Sequence, residues 1–563
     1  MARKAEREPV SEKRLNALRL ILAFSLLAGL GYELMAALAA LALLLWLCGC
    51  EKLRLRLSLG ALAVALVFLG ALLTPLWAAD KGLAPLGIAR ALPLPLMALC
   101  LLQLAPEQRD RCLDDLPPLA ALMTLASFAL QWIPALTGFF TVSGRLAGFW
   151  QYPNSFACLL LLSLERLLLR GDEPKGREAA LAAALSFGLL QSGSRAVFVL
   201  ALAFLLFWLV RALCRRALRA QLVSLAGLAG GVAASLLVSL LLPAPLRHLG
   251  AISPQASTLL GRLLYAKDAL PVIARHPFGL GYLGYYVTQG SFQTGVYSLR
   301  WVHNDLLQLL LDFGWIPAAA ALAALGRSLL VRSGGAARRV PLLTLCAHCL
   351  FDFDLEFAAL GFVLLLLLDW EQGRELSFRL RPLGRALGAL AAAAALWLGL
   401  AAALGDSPEP ERALAIYPKH TLAICQSLTH AESAEELDRL ADEVLALDQH
   451  LALAWDAKAR AAFARGDFRE LILSKREALR CAPYAAEEYA DFFELLREGE
   501  RLYRLSGDRS SAEICRREIA GIAEKLEAVR EKTDPLAWRL PEKPELELPA
   551  GLENYLSDRD ARD

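Results

Sequence analysis

Apolar runs separated by short charged segments fill the chain up to residue 404, and a helical period with one charged face replaces them beyond Gly405. The runs lie at 15–30, 34–50, 58–78, 83–104, 117–137, 154–170, 178–192, 195–213, 220–243, 303–326, 340–351, 356–369 and 383–404. Several reach the ~20 residues that a helix needs to cross ~30 Å of hydrocarbon, and the shorter ones read as tilted, re-entrant or extended by their flanks. The pattern predicts an all-α, polytopic membrane bundle of about 12–14 spans. The first run begins near Leu15 and lacks a small-x-small cleavage site, so it reads as an uncleaved span after a cytoplasmic segment, 1–14.

Beyond Gly405, Ala, Glu, Arg and Leu recur at helical spacing. Five amphipathic helices are predicted, at 434–447, 450–465, 467–481, 485–505 and 509–531. Within 450–483, Trp455, Ala462, Gly466-Asp467-Phe468, Ala478 and Pro483 fit the helix–turn–helix pattern of a tetratricopeptide unit. Residues 405–535 therefore read as a tetratricopeptide-like, α-solenoid-like domain presenting a groove. The Pro-rich tail, 536–563, reads as extended.

Composition agrees with a membrane chain: 56% of the 563 residues are hydrophobic, above the 45–50% usual for soluble domains. The net charge of +2 says little; its distribution says more. One set of loops holds most of the Lys and Arg, among them Arg3, Lys4, Arg7, Arg54, Arg56, Arg109, Lys175, Arg215, Arg219, Arg332, Arg338 and Arg381. The alternate set holds only Lys81, Arg145, Arg195, Arg247, Arg262, Lys267, Arg275 and Arg300. The positive-inside rule makes the first set cytoplasmic. The N-terminus is then inside, and the large loop 244–302 and the C-terminal domain are outside. Most of the eleven Cys residues fall in apolar runs, where thiols act as small hydrophobes. Cys346-Ala347-His348-Cys349 has redox spacing but sits within a predicted span, and reads as coincidence.

The stretch from His276 to Trp315 stands apart, polar and glycine-rich between two apolar runs. Gly279-Leu280-Gly281-Tyr282-Leu283-Gly284 fits G-x-G-x-x-G but lacks the βαβ setting of a dinucleotide site, so its glycines read as turn formers. His303-Asn304-Asp305 precedes the apolar run LLQLLLDFGW. Asn304 or Asp305 reads as a helix cap, and His303 either as incidental or as a general base. Arg145 and Arg195 sit at span mouths on the outer side, and Arg262 on an amphipathic helix of the outer loop. Arg145 and Arg195 could each simply snorkel to the headgroups; together with Arg262 they fit a diphosphate, whose oxygens match arginine forks. Tyr152 and Asn154 could add neutral hydrogen bonds. His276, before Pro277, reads as a helix end with a possible supporting role, and His348 with Asp352 as a structural polar pair. The chain has no Walker loop and no HExxH, so no metal or nucleotide cofactor is predicted.

In their order, the motifs GRLAGFWQYPNSFA (144–157), SGSRA (192–196), GRLLYAKDAL (261–270), HPFGLGYLGYY (276–286), WVHNDLLQLLLDFGW (301–315) and HCLFDFDLEF (348–357) carry a resemblance. Over residues 15–404 the chain resembles the O-antigen ligase and O-antigen polymerase superfamily of bacterial envelope glycan transferases. The resemblance implies that His303 is the essential histidine after the large outer loop. It implies that Arg145, Arg195 and Arg262 surround a lipid diphosphate. Asp312 stands where a Glu is commoner, and the helical domain resembles tetratricopeptide-type extensions of some members. The expected activity is transfer of a glycan from a polyprenyl-diphosphate carrier to a lipid, glycan or wall acceptor on the outer face of the bacterial cytoplasmic membrane, without cofactors. A polymerase of the same fold is the alternative. A glycolipid flippase would instead show inverted repeats and spans broken near the midplane. The helical domain, 410–563, is expected to meet envelope-assembly partners or acceptors; nothing points to nucleic acid.

Overall fold

A bilayer leaves no partner for an open backbone N–H or C=O, so runs of Leu, Ala, Val and Phe can cross it only as helices. The computed structural model describes residues 9–170, 176–216, 221–250, 257–331 and 334–560. The charges expected at Arg3, Lys4, Arg7, Lys175, Arg219 and Arg332, with parts of the 1–14 segment, the 244–302 loop and the tail, lie outside the described residues.

Each predicted run is helical. Helices Glu12–Ala28, Glu33–Cys48, Leu59–Leu73, Pro153–Arg170, Gly176–Ser192, Arg195–Cys214, Leu222–Val238, Ala336–Cys349, Ala358–Leu367 and Pro382–Gly405 match single runs. Three runs are divided. The 83–104 run breaks before Pro93, which opens Pro93–Gln103, as proline suits a first helical turn. The 303–326 run breaks at Gly314, φ +82°, between Asp305–Phe313 and Trp315–Leu330. The 117–137 run is covered by Leu116–Leu130 and the start of Pro134–Phe140. By length and composition, Leu59–Leu76, Leu86–Gln103, Pro106–Leu130, Arg195–Cys214 and Pro382–Gly405 suffice to cross a membrane; Glu33–Cys48, Leu222–Val238, Trp315–Leu330 and Ala358–Leu367 are shorter apolar helices. The chain is an all-α, multi-pass membrane protein. Its sheet is confined, among the described residues, to two antiparallel ribbons, Lys52–Arg56 with Glu375–Arg379 and Thr141–Val142 with Arg145–Leu146.

The structure divides into two units. The first comprises 1–73, 86–256 and 303–400. At its centre runs Pro153–Arg170, buried along almost its whole length, with Glu165 and Arg166 buried among its leucines. Leu159, Leu161 and Phe156 pack with Leu18, Leu43, Met97, Phe362 and Trp370 in one core. Outward, Phe24, Leu62, Leu206, Leu236, Leu240 and Leu390 are exposed. A water-facing surface rarely shows such a band; lipid covers it in a bilayer.

The second unit comprises 74–85, 257–302 and 401–563. The five predicted amphipathic helices are Ala434–Leu447, Ala452–Arg465, Phe468–Cys481, Ala486–Ser506 and Arg509–Lys532. Ser433, Asp467 and Asp508 cap three of them. Between Ala452–Arg465 and Phe468–Cys481, Gly466 takes φ +75° to turn the chain. The fully buried Lys475 ammonium ties these helices together through Asp456, Glu488 and Asp491.

Residues 257–302, which the sequence reading grouped with 15–404, fall in one compact unit with 401–563. Leu260, Leu264 and Tyr297 share one apolar cluster with Ala537 and Leu540. The Thr294 carbonyl accepts from the Asp534 amide at 2.9 Å, and Lys267 pairs with the Asp534 carboxylate. The apolar face of Ser257–Arg275 thus finds its cover on the C-terminal segment. The tail is extended only in part: Ala537–Arg539 forms a 3-10 turn and Leu552–Asp560 a helix.

Candidate active site

The centre of the site is Asp352, which sequence reasoning paired with His348. Helix Ala336–Cys349 stops at Cys349, and in the turn after it the Asp352 amide still bonds the His348 carbonyl at 3.1 Å, but the side chains part. His348 Nδ1 instead meets Asp354 at 2.5 Å, and Ser155 Oγ donates to the same carboxylate at 2.7 Å. Asp352, 1% exposed, gathers four donors. They are Tyr152 OH at 2.7 Å, Asn154 Nδ2 at 2.8 Å, its neighbour's amide, Phe353 N–H, at 3.1 Å, and His303 Nδ1 at 3.2 Å. An ionised carboxylate only accepts, so Nδ1 carries the proton and Nε2 the lone pair.

Three of the predicted residues therefore meet on a carboxylate that the sequence reading left out of the site. A fourth joins through Asn154, whose Oδ1 accepts from Arg145 Nη2 at 2.6 Å. Arg145 Nε also donates to the Ser192 carbonyl at 2.7 Å, just before helix Arg195–Cys214. Helix Pro153–Arg170 places Asn154 in its first turn, and the ribbon Thr141–Val142/Arg145–Leu146 presents Arg145. Aromatic rings wall the group: Phe353 lies 4.9 Å from His303 and 4.6 Å from Tyr152 between centroids.

His303 adopts φ +31°, a left-handed conformation that few residues with a Cβ take. The next two residues hold this strain in place. Asn304 is the helix cap, accepting from the Leu307 amide at 3.0 Å while its Nδ2 donates to the Leu350 carbonyl at 2.9 Å. Asp305, buried, accepts from the Leu355 amide through both oxygens, at 3.2 and 3.1 Å. Both residues thus fasten the start of Asp305–Phe313 to the turn that bears Asp352.

Arg195, half-buried at the start of its helix, belongs to the same unit, and its charge and that of Arg145 both act on His248. Burial lowers the His248 imidazole from its ordinary value; the two arginines push the same way, against the Gly193 carbonyl that meets Nδ1 at 2.7 Å. His248 was not singled out in the sequence, where nothing around it marks it. Arg262 and His276 belong to the second unit. Arg262 is half-buried on Ser257–Arg275 beside Tyr265. His276 is exposed where that helix ends, its amide bonded to the Val272 carbonyl at 3.0 Å. The glycines of the G-x-G-x-x-G stretch make turns: Gly279 and Gly281 take φ +80° and +83°, and a Cβ on Gly281 would stand 2.7 Å from that of Ala78.

Ligand types for a metal gather in two buried groups among the described residues, Cys158, His348 and Asp354, and Asp305, Cys349 and Asp354. Their carboxylates already accept bonds from Ser155, His348 and Leu355.

Residues 180–322 match the family model described as O-antigen ligase. That stretch contains Arg195, Arg262, His276, His303, Asn304 and Asp305, while Arg145, Tyr152, Asn154 and Asp352 lie outside it. No curated protein and no solved structure matches the chain. Over residues 180–322, then, this multi-pass helical chain is similar to the O-antigen ligases.

Proposed function

We propose that the chain moves a glycan from a polyprenyl-diphosphate carrier to an acceptor hydroxyl on the outer face of the membrane, with His303 as general base. The observation that carries this reading is the hydrogen-bonded line Arg145–Asn154–Asp352–His303. It joins a cation suited to phosphate oxygens to an imidazole whose orientation a buried carboxylate fixes. The acceptor hydroxyl gives its proton to Nε2 as its oxygen bonds to the anomeric carbon. The anomeric C–O bond breaks on the opposite side, and its electron pair leaves with the diphosphate. Arg145 and Arg195 stabilise the charge that grows there, an electrostatic task. Arg262, in the other unit, is given the same task by the resemblance alone. The sugar–diphosphate bond itself supplies the driving force, so the scheme calls on no nucleotide or metal. Attack opposite the leaving group inverts the anomeric configuration.

The test is transfer by the purified full chain from a synthetic polyprenyl-diphosphate glycan. His303→Ala is expected to abolish product at unchanged protein level, and near-normal product would defeat the assignment. With donor alone, a ladder of lengthening products identifies a polymerase; a single product that needs an added acceptor identifies a ligase.

A further inference from the structure

The opposite chemistry to the carboxylate-centred site occurs at another place in the first unit. Arg56 stands three residues before Leu59–Leu73, Arg109 lies in Pro106–Asp114 between two apolar helices, and Arg338 is in the first turn of Ala336–Cys349. Glu371 follows Ala358–Leu367. Arg56 closes the strand Lys52–Arg56 and Arg109 lies within a polar helix, so the group is on the short connections between longer helices.

The Arg109 side chain is fully buried. Its Nη2 pairs with Glu371, and Arg56 reaches the other oxygen of the same carboxylate at 3.4 Å. Arg338 meets Asp110 only at 3.9 Å. The charges of Arg56 and Arg338 both bear on the Arg109 guanidinium. Among the described residues, Nε and Nη1 of Arg109, Nε of Arg56 and Nε of Arg338 have no acceptor. A guanidinium offers five N–H donors and accepts nothing. Burying such donors unmatched costs free energy, more so when they are charged. Arg56 also pairs with Glu375 at 2.8 Å and donates to the Trp370 carbonyl at 3.3 Å, which leaves the four nitrogens named above still without an acceptor.

We propose that Arg56, Arg109 and Arg338 form a binding site for a phosphate group, supplied by the headgroup of a membrane lipid or by free phosphate. A tetrahedral oxyanion carries several acceptor oxygens and matches arginine forks, which a water molecule does not do for three cations at once. Glu371, partly exposed, competes with the ligand for the same donors. The site uses none of the residues assigned to glycan transfer and stands independently of that reading.

The test is native mass spectrometry of the full chain in detergent, titrated separately with phosphatidylglycerol, phosphatidylcholine and inorganic phosphate. Saturable adducts of phosphatidylglycerol that survive excess inorganic phosphate identify a lipid headgroup; saturable inorganic phosphate alone identifies the free ion, and either supports the site. Arg338→Gln, which breaks no close ion pair, is expected to weaken binding by about tenfold, the loss of one charged hydrogen bond. Glu371→Gln is expected to strengthen it. The proposal is overturned if wild type binds none of the three, or if neither substitution changes binding.

Discussion

At the residue scale, the proposed site turns on one carboxylate. Asp352 holds Tyr152, Asn154 and His303 at once, so replacing it leaves three side chains without their common acceptor. Asp352→Asn keeps the shape and an oxygen to accept from Tyr152 and His303, but its NH2 then faces the Asn154 Nδ2 donor and the negative charge beside the imidazole is lost. Transfer is expected to fall by roughly 10²–10⁴-fold in kcat, the usual share of a general base, with the apparent KM for the lipid-linked donor little changed. Initial rates against donor concentration check this; a rise in KM alone would make Asp352 a substrate contact. Asp352 escaped the sequence reading for a physical reason. Its spacing of four from His348 pointed to a local pair, whereas its side-chain partners Tyr152, Asn154 and His303 lie 200, 198 and 49 residues away. Tyr152 and Asn154 were readable because they flank Pro153, which marks a helix start.

At the element scale, the segment 74–85 is tied to the C-terminal helices within the second unit. Asp80 is fully buried, and its Oδ1 accepts from the amides of Gly82 and Leu83 at 2.7 Å each and from Thr421 Oγ1 at 2.8 Å. The Lys81 amide bonds the Leu447 carbonyl at 3.1 Å, and Tyr417 OH the Gly82 carbonyl at 3.0 Å. Burial raises the Asp80 carboxyl from 3.8 to about 7, and Asp448 pushes the same way, against its three hydrogen bonds. The folded chain therefore keeps a proton that the unfolded chain releases. Stability is full below the unfolded value of 3.8, falls as pH rises from there to about 7, and then levels off. The span of that fall is at most about 4 kcal/mol. Thermal unfolding of the full chain in detergent is expected at a lower midpoint at pH 8 than at pH 5. In Asp80→Asn, where the amide oxygen keeps the three bonds, the difference should shrink; an unchanged difference would assign the pH dependence to another group.

At the scale of the whole molecule, the C-terminal helices share a compact unit with residues from the middle of the chain. Residues 257–302 and 401–563 share one unit, and Ala537 and Leu540 cover Leu260, Leu264 and Tyr297. Removing 410–563 exposes that apolar face and strips Lys267 and Thr294 of Asp534. The truncated chain is expected to lose most of its transfer activity and to be cut readily by trypsin after Lys267 and Arg275. Product formation and limited proteolysis in membrane vesicles check both. A protected loop with full transfer would show that the helices serve partners or acceptors alone, as the sequence pattern suggests.

What the sequence determined by itself is whatever depends on neighbours along the chain. The apolar runs specify helices because the bilayer permits little else, and the five amphipathic helices follow from their period and from caps such as Asp467 and Asp508. His303, Arg145, Tyr152 and Asn154 were legible as residue types in a polar setting where such types are scarce. Only the tertiary structure decided which of them share an acceptor, since His303 and Asp352 stand 49 residues apart and Asn154 and Asp352 stand 198 apart. The same holds for the donors of Arg56, Arg109 and Arg338, and for the cover of Ser257–Arg275. Hydrogen bonds and burial across such separations depend on how helices pack, which no local pattern records.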